Sequence, residues 1–472
     1  MFGGMSFYSL GFMLFLPIVV WMYFAVPVKY KNIWLLLASY FFYACWSVKY
    51  VGILMVVTGV TYLCARVMQG KRKKIALFFC LSINLVPLIG MKVFSLSNGF
   101  VIPIGLSFYM LQALGYVIDV YREETKPEKN IINYALFVSF FPTILSGPIE
   151  RSDNLLKQIQ EGTSFSYERA KKGTLLIAFG FFEKILLADR IAAVVSYTYT
   201  NYIEFSGATI LLVVILYAIQ IYTDFAGYSY MALGIAKIFG FDIIQNFKQP
   251  YFAVNIREFW KRWHISLSQW LRDYVYISFG GSRCGKLKTY CNLMFTFLIS
   301  GIWHGNGLKY LVWGGLHGGY QVIGRITEKG REHLKNRLHI NTTCWSYRFF
   351  QGIITFLLVD FAWVFFSADS LSHALQLLHK IFFRFNLAGA VFVKEHLMLG
   401  LNESRWFLLI IELTAVFVID LLHEKNISIL SWLNRQNLLF RWAVYVALVF
   451  TVLVGELYNF GGESATFIYT RF

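Results

Sequence analysis

An all-α fold, a polytopic bundle of membrane-spanning helices, is what this sequence predicts, and three observations carry the expectation. Hydrophobic residues make up 57% of the 472 positions and charged residues 15%, against about 45–50% and about 25% in ordinary soluble domains. Mean hydropathy is +0.55, whereas a soluble fold of this length needs far more polar surface to cover its core. Continuous apolar runs long enough to cross a bilayer, roughly 20 residues each, recur almost from end to end. They are unbroken stretches, not the short alternating strands a barrel requires.

The first of these runs, within MFGGMSFYSLGFMLFLPIVVWMYFAV, lacks a basic n-region and a small-residue cleavage site and is too long for a signal-peptide core. It reads as a retained first transmembrane helix. Further runs lie near 33–66, 75–91, 101–120, 171–190, 207–240, 289–304, 308–324, 348–366, 405–422 and 440–457, giving about eleven spans. Aromatic residues, 19% of the chain with 46 Phe, 29 Tyr and 13 Trp, suit lipid contact and the interfacial belts where amphipathic rings settle. No internal repeat, low-complexity tract or soluble domain interrupts the pattern, so residues 1–472 read as one membrane domain with a motif-rich core at about 101–325.

Net charge is +17, from 43 Lys and Arg against 26 Asp and Glu. The basic residues cluster between apolar runs, as in Lys71, Arg72, Lys73 and Lys74, which is a topology signal. That reading leaves a nucleic-acid partner nothing to explain and makes membrane lipid the expected surroundings. Residues 66–74, 122–129, 257–288 and 325–337 are basic-rich and are placed in the cytoplasm, which puts the N-terminus outside or makes the 33–66 region reentrant. The cysteines, Cys45, Cys64, Cys80, Cys284, Cys291 and Cys344, have no paired short spacing of the zinc type and read as thiols.

Two segments depart from simple spans. In FVSFFPTILSGPIER, Pro142, Gly147 and Pro148 interrupt an apolar run. Non-helical backbone at membrane depth survives only where it is buried in protein or lines a wet cavity, so the interruption marks either a reentrant element at a site or a helix kink. The segment QNFKQPYFAVNIREFWKRWHISLSQWLRDYVYISFGGSR mixes Arg257, Lys261, Arg262, Arg272 and Arg283 with Phe259, Trp260, Trp263 and Trp270, and is expected at the interface or dipping partly into the bundle.

Of nine histidines, His333, His339, His373, His379, His396 and His423 lie in late loops or polar stretches and read as solvated or interfacial. His264, His304 and His317 fall between 255 and 320, where an ionisable group at membrane depth is costly and therefore a functional-site hypothesis. His304 ends an apolar helix in FLISGIWHGNG, beside Gly301, Gly305 and Gly307, which permit close backbone approach. A near-neutral imidazole there can take a proton from an attacking hydroxyl and return it to a leaving group; the alternative is a buried histidine bonded to a neighbouring carbonyl. Helical spacing would align Arg257, Lys261, His264, Ser268 and Leu271 on one stripe, suited to a coenzyme A phosphate or to anionic lipid headgroups. His317, in WGGLHGGY, reads as helix packing among small residues. Asp224, Glu183 and Lys184 are further charges within apolar runs and rank as supporting groups.

Other chemistries fail on inspection. GGSRCGKL has phosphate-loop spacing, but Leu287 replaces the required Ser or Thr; no G-x-S-x-G elbow and no H-E-x-x-H metal site occurs. No metal is expected.

The motifs resemble the membrane-bound O-acyltransferases, in particular the bacterial alginate O-acetyltransferase subgroup. The matching pieces are PIGLSFYMLQALGYVIDVYR at 103–122, FPTILSGPIER at 141–151, YTDFAGYSYMALGIAKIFGF at 222–241, NFKQPYF at 246–252 and NIREFWKRWHISLSQWLRDYVYISFGGSR at 255–283. GIWHG at 301–305, FAWVFFSAD at 361–369 and the closing FIYTRF complete them. The departure is at 366–368, where FSA stands in place of an expected FRA, so that motif's arginine has no counterpart at Ser367.

The resemblance implies a barrel-like ring of membrane helices around a narrow passage, with the family's histidines falling on His304 and His264. It makes the surface of Arg257 and Lys261 a donor side and makes Asn255, Trp260 and Trp303 cavity-lining or substrate-binding candidates. It further implies a bacterial inner (cytoplasmic) membrane and no bound cofactor. An acetyl group from acetyl coenzyme A would cross the membrane to a separate extracytoplasmic esterase-like (SGNH) acetyltransferase, with an envelope or exported polysaccharide as final acceptor. Two other readings stand beside it: D-alanyl transfer to teichoic acid from a carrier-protein thioester, and a transporter or flippase, which would share the broken helix and buried charges but lacks an obvious two-half repeat.

Overall fold

The computed structural model describes residues 4–68, 72–98, 102–305, 307–388 and 398–459. Lys71, Asn306, His396 and the closing FIYTRF therefore lie outside the described residues. Among those described there are helices and no strands, and the protein is all-α as expected.

Most apolar runs in the sequence correspond to one helix each. The first half of the chain carries α1 (Leu10–Ala25), α2 (Val28–Ala44), α3 (Val48–Val67), α4 (Lys73–Asn98), α5 (Leu106–Tyr121), α6 (Ile131–Ser139), α7 (Phe141–Ile144), α8 (Lys157–Glu161), α9 (Tyr167–Phe181), α10 (Asp189–Thr200) and α11 (Gly207–Phe239). There follow α12 (Ile256–Arg262), α13 (Ile265–Trp270), α14 (Lys286–His304), α15 (Leu308–Ile326), α16 (Glu328–Arg337), α17 (Trp345–Ser367), α18 (Leu371–Phe383), α19 (Glu403–Glu424), α20 (Ile429–Asn434) and α21 (Leu438–Asn459). The run at 33–66 is two helices, α2 and α3, because the chain turns at Cys45–Trp46 and Ser47 is extended. Five described helices, α3, α4 (over Lys73–Lys92), α11, α17 and α19, are long and apolar enough to cross a membrane.

By internal contacts the chain forms two compact units, residues 1–181 with 227–245, and residues 182–226 with 246–468. In the first unit α2 packs on α6, and α3 on α4 and α5. Close helix approach depends on glycine: a Cβ at Gly173 would meet the carbonyl oxygen of Gly234 at 2.5 Å, and one at Gly180 would meet the amide nitrogen of Met231 at 2.9 Å. Small residues let membrane helices bring their backbones together, where dispersion and packing replace the hydrophobic drive of water.

The proline-bearing interruption is a double break. Helix α6 stops where Phe140 takes ψ 110°, α7 lasts four residues, and 145–151 continues without helix although nearly every residue there is buried. Side chains satisfy the backbone groups this exposes: the Gln112 amide donates to the Phe137 carbonyl, its oxygen accepts from Glu150 N at 3.1 Å, and Ser39 Oγ accepts from Phe141 N at 3.2 Å. Glu150 Oε1 accepts from Ile244 N at 2.5 Å, and its Oε2 from Asn154 at 2.8 Å.

In the second unit α14 packs along α15, and α15 against α17. Its charged core sits where α10 is entered through a π-helical stretch, Phe182–Ala188, a geometry that recurs at functional positions. Lys184 Nζ lies 2.6 Å from Asp224 Oδ1 and 2.7 Å from Asp189 Oδ1, with Lys184 and Asp224 only 1% and 2% exposed. Arg190 Nη1 reaches both carboxylate oxygens of Glu412 at 2.8 and 2.9 Å, and Tyr222 donates to Asp420 at 3.0 Å. Glu183 is fully buried, and neither of its carboxyl oxygens has a hydrogen-bond partner among the described residues.

Two outcomes follow for purified protein in detergent, read by thermal unfolding. Gln112→Leu strands a buried carbonyl and a buried N–H and lowers stability by about 2 kcal/mol or more; an unchanged midpoint would show that the break is held by other contacts. Lys184→Met leaves two carboxylates without their cation and costs about 3–5 kcal/mol, more than Asp224→Asn, which keeps the Lys184–Asp189 pair.

Candidate functional site

The stretch carrying His264 is not one helix. Helix α12 begins on Asn255, whose side-chain oxygen accepts from Glu258 N at 2.9 Å, and ends at Arg262. Trp263 is extended, and His264 adopts the left-handed conformation (φ 42°, ψ 55°) ahead of α13. A non-glycine residue with positive φ is held there by its surroundings. Asn246 supplies the hold: its carbonyl accepts from Ile265 N at 3.0 Å, and its side-chain oxygen accepts from Ser266 N at 3.2 Å and Ser266 Oγ at 2.7 Å. Lys248 N donates to the Arg262 carbonyl at 3.0 Å on the other side of the turn.

This turn separates what helical spacing would align. Arg257 and Lys261 are exposed on α12, whereas His264 is 1% exposed and lies beyond the break. The expected stripe is therefore divided, because the chain reverses its local hand at His264. Arg257 Nη1 is 3.6 Å from Glu328 at a half-exposed position, and Arg262 is held by Glu258 at 2.6 Å and Glu424 at 2.5 Å. Asn255 is likewise exposed, and its side chain caps the helix.

His304 is the last residue of α14 and is 3% exposed. Gly305 follows in an extended conformation, its N–H donating to the Gly301 carbonyl at 3.2 Å. The α14–α15 pair is built on glycine: a Cβ at Gly301 would collide with the Tyr310 carbonyl, one at Gly305 with the Tyr310 ring, and one at Gly314 with the Phe297 carbonyl. Aromatic rings enclose the imidazole, with ring centroids of Trp303 at 4.8 Å, Trp313 at 5.0 Å and Phe366 at 5.2 Å.

His264 joins the same cluster. Its ring meets Phe225 edge-on at 4.6 Å and Trp303 at 6.1 Å, so the Trp303 indole contacts both His264 and His304. Of the residues singled out in sequence, the structure gathers His304, His264 and Trp303; Trp260 belongs to a neighbouring group. There Trp260 Nε1 donates to His317 Nδ1 at 3.3 Å, and Trp313 lies 5.0 Å from His317 as well as from His304. Thus His317 serves as a hydrogen-bond acceptor inside an aromatic stack. Lys309 Nζ contacts the carbonyls of Phe366 and Ala368 at the C-terminal end of α17, where a cation complements the helix dipole. Ser367, at the departure from the family pattern, is hydrogen-bonded to Tyr199 at 3.0 Å.

Residue-by-residue reading overlooked Trp313, Phe366, Phe225 and Asn246. The aromatic residues look like ordinary lipid-facing or core side chains until the fold sets them around the imidazoles; Asn246 carried a signal only as a polar residue opening NFKQPYF. Two buried imidazoles set among aromatic rings can accept and release a proton, which is what general acid–base work requires. No group of three or more His, Cys, Asp or Glu that could hold a metal ion occurs among the described residues.

Residues 120–358 match the family model described as the membrane-bound O-acyltransferase family. The "Probable alginate O-acetylase" of Pseudomonas fluorescens is 38% identical over 76% of this chain and 71% of its own length. The "Peptidoglycan O-acetyltransferase" of Helicobacter pylori is 29% identical over 97% of this chain and 95% of its own. The "Teichoic acid D-alanyltransferase" of Bacillus subtilis is 29% identical over 57% and 70%. With its long apolar helices and its paired buried histidines set beside this likeness, the chain belongs to the membrane-bound O-acyltransferase family and is a membrane acyltransferase.

Proposed function

We propose that this protein moves an acetyl group from acetyl coenzyme A across the bacterial inner membrane for O-acetylation of an envelope or exported polysaccharide, with His304 as general base and His264 assisting. The observation that carries this reading is the convergence of both imidazoles on the Trp303 indole inside a buried aromatic cluster. As the hydroxyl oxygen attacks the thioester carbonyl, His304 takes the hydroxyl proton, the carbon–oxygen bond forms, the carbon–sulfur bond breaks, and the proton passes to the leaving thiolate. His264, fixed by the Asn246 clamp, orients the reacting groups across the same indole.

Acetyl is preferred to D-alanyl because the relatives named as alginate O-acetylases are 34–38% identical, against 27–29% for those named as D-alanyltransferases. The exposed Arg257 and Lys261 suit the approach of a phosphate-bearing donor, with Asn255 and Trp260 at the same helix. A separate extracytoplasmic SGNH-type acetyltransferase completes the route to the polymer.

His304→Ala lowers envelope O-acetylation by about a hundredfold or more, the contribution of a general base, and His264→Ala lowers it as well; wild-type acetylation at normal protein abundance would remove His304 from its role. Membranes carrying the protein release free thiol from acetyl coenzyme A in the presence of acceptor, and His304→Ala abolishes this. Turnover of a D-alanyl carrier thioester in its place would transfer the assignment to the D-alanyl reaction, and polymer movement without thiol release would make the protein a carrier.

A further inference from the structure

Away from the histidines, within the first unit, a cavity of about 220 Å³ opens where α1 ends, α2 and α6 begin and α8 ends. Its lining is polar for a protein so apolar in composition, and includes Lys29, Lys31, Asn32, Asn133 and Gln160. Lys31 is 9% exposed. Its ammonium donates to the Thr163 carbonyl at 3.1 Å and lies over the rings of Tyr23 and Phe24, each at 5.2 Å. It has no carboxylate partner among the described residues. Glu161, which also lines the cavity, is in an ion pair with Lys157 at 3.9 Å.

A buried ammonium is costly unless a counter-charge meets it, and Lys31 has donor capacity left after its one carbonyl bond. The rest of the lining supplies more donors. Asn32 gives both amide hydrogens away, to Asn133 Oδ1 and the Ile159 carbonyl at 3.0 Å each, so the Asn133 side chain is fixed through its oxygen and its amide nitrogen has no hydrogen-bond partner among the described residues. Helix α2 starts on Pro27 without a capping side chain, leaving first-turn N–H groups and the positive end of the helix dipole beside Lys29. The Lys31 ammonium, the Asn133 amide and the start of α2 favour an anion with several acceptor oxygens. The volume, several times the roughly 30 Å³ share of one water, admits a phosphate with part of its ester group. Element ends, where apolar runs stop, are where apolar helices pass into the headgroup layer.

We propose that this cavity is a binding site for a phosphate group, held by the Lys31 ammonium with Lys29 and the Asn133 amide, and supplied by an anionic phospholipid headgroup or by a free phosphate.

The test is thermal unfolding of the full-length protein in nonionic detergent, titrated with short-chain phosphatidylglycerol, with the matching diacylglycerol, and with inorganic phosphate. A ligand that binds only the folded state raises the midpoint in a saturable manner. Phosphatidylglycerol is expected to do so and diacylglycerol not to; a stronger response to phosphatidylglycerol than to inorganic phosphate identifies the lipid as the source, and equal responses identify free phosphate. Lys31→Gln, which keeps a donor and removes the charge, weakens the apparent affinity by about tenfold or more. Lys29→Gln, at an exposed position that does not threaten folding, weakens it by a smaller factor, and the two variants retain thiol release from acetyl coenzyme A. Absence of any response to the phosphate-bearing probes, equal stabilisation by diacylglycerol, or identical titrations for the wild type and the folded variants would overturn the site.

Discussion

Peptide groups removed from water must find partners inside the protein, and in an apolar chain that requirement shapes everything else. Continuous helix meets it by default. At two places where this chain leaves the helix at buried positions, specific side chains take over: Gln112 and Ser39 at the break after α6, Asn246 at the turn between α12 and α13. These two departures from helix are therefore tightly specified. Each costs a dedicated polar side chain placed far away in sequence, and one of them positions an imidazole.

The two histidines illustrate two ways of burying an imidazole. His304 ends a long helix, so its position follows from where α14 stops and from the glycines that let α15 lie close. His264 occupies a left-handed turn that isolated sequence would not favour, and it depends on the Asn246 clamp. Because both meet the ring of Trp303, a change in the α14–α15 packing and a change in the Asn246 turn would be felt at the same indole. The surrounding rings bury both imidazoles, and burial strengthens any electrostatic interaction made there.

Charged residues divide by environment in the same logic. In the second unit Lys184, Asp189 and Asp224, and likewise Arg190 and Glu412, neutralise one another at largely buried positions. In the first unit Lys31 has no such acid among the described residues, and the cavity beside it is where a counter-charge from outside the chain would fit. The pairs join positions as far apart as 190 and 412, so a charge in an apolar run signals that a partner exists without saying which one it is.

Composition and run length determined by themselves that this protein is an all-helical membrane protein, since long unbroken apolar runs, unlike the short alternating strands of a barrel, satisfy their backbone as helix. The runs near 207–240, 348–366 and 405–422 correspond closely to helices because periodic local hydrogen bonding needs only neighbouring residues. His304 stood out for a local reason too, an ionisable group closing an apolar helix among glycines. Tertiary structure alone decided that the Arg257–Lys261–His264 stripe is broken, that the 33–66 run is two helices, and that Trp313, Phe366 and Phe225 line the imidazoles. Those outcomes depend on contacts between residues tens of positions apart, and periodicity carries no record of them.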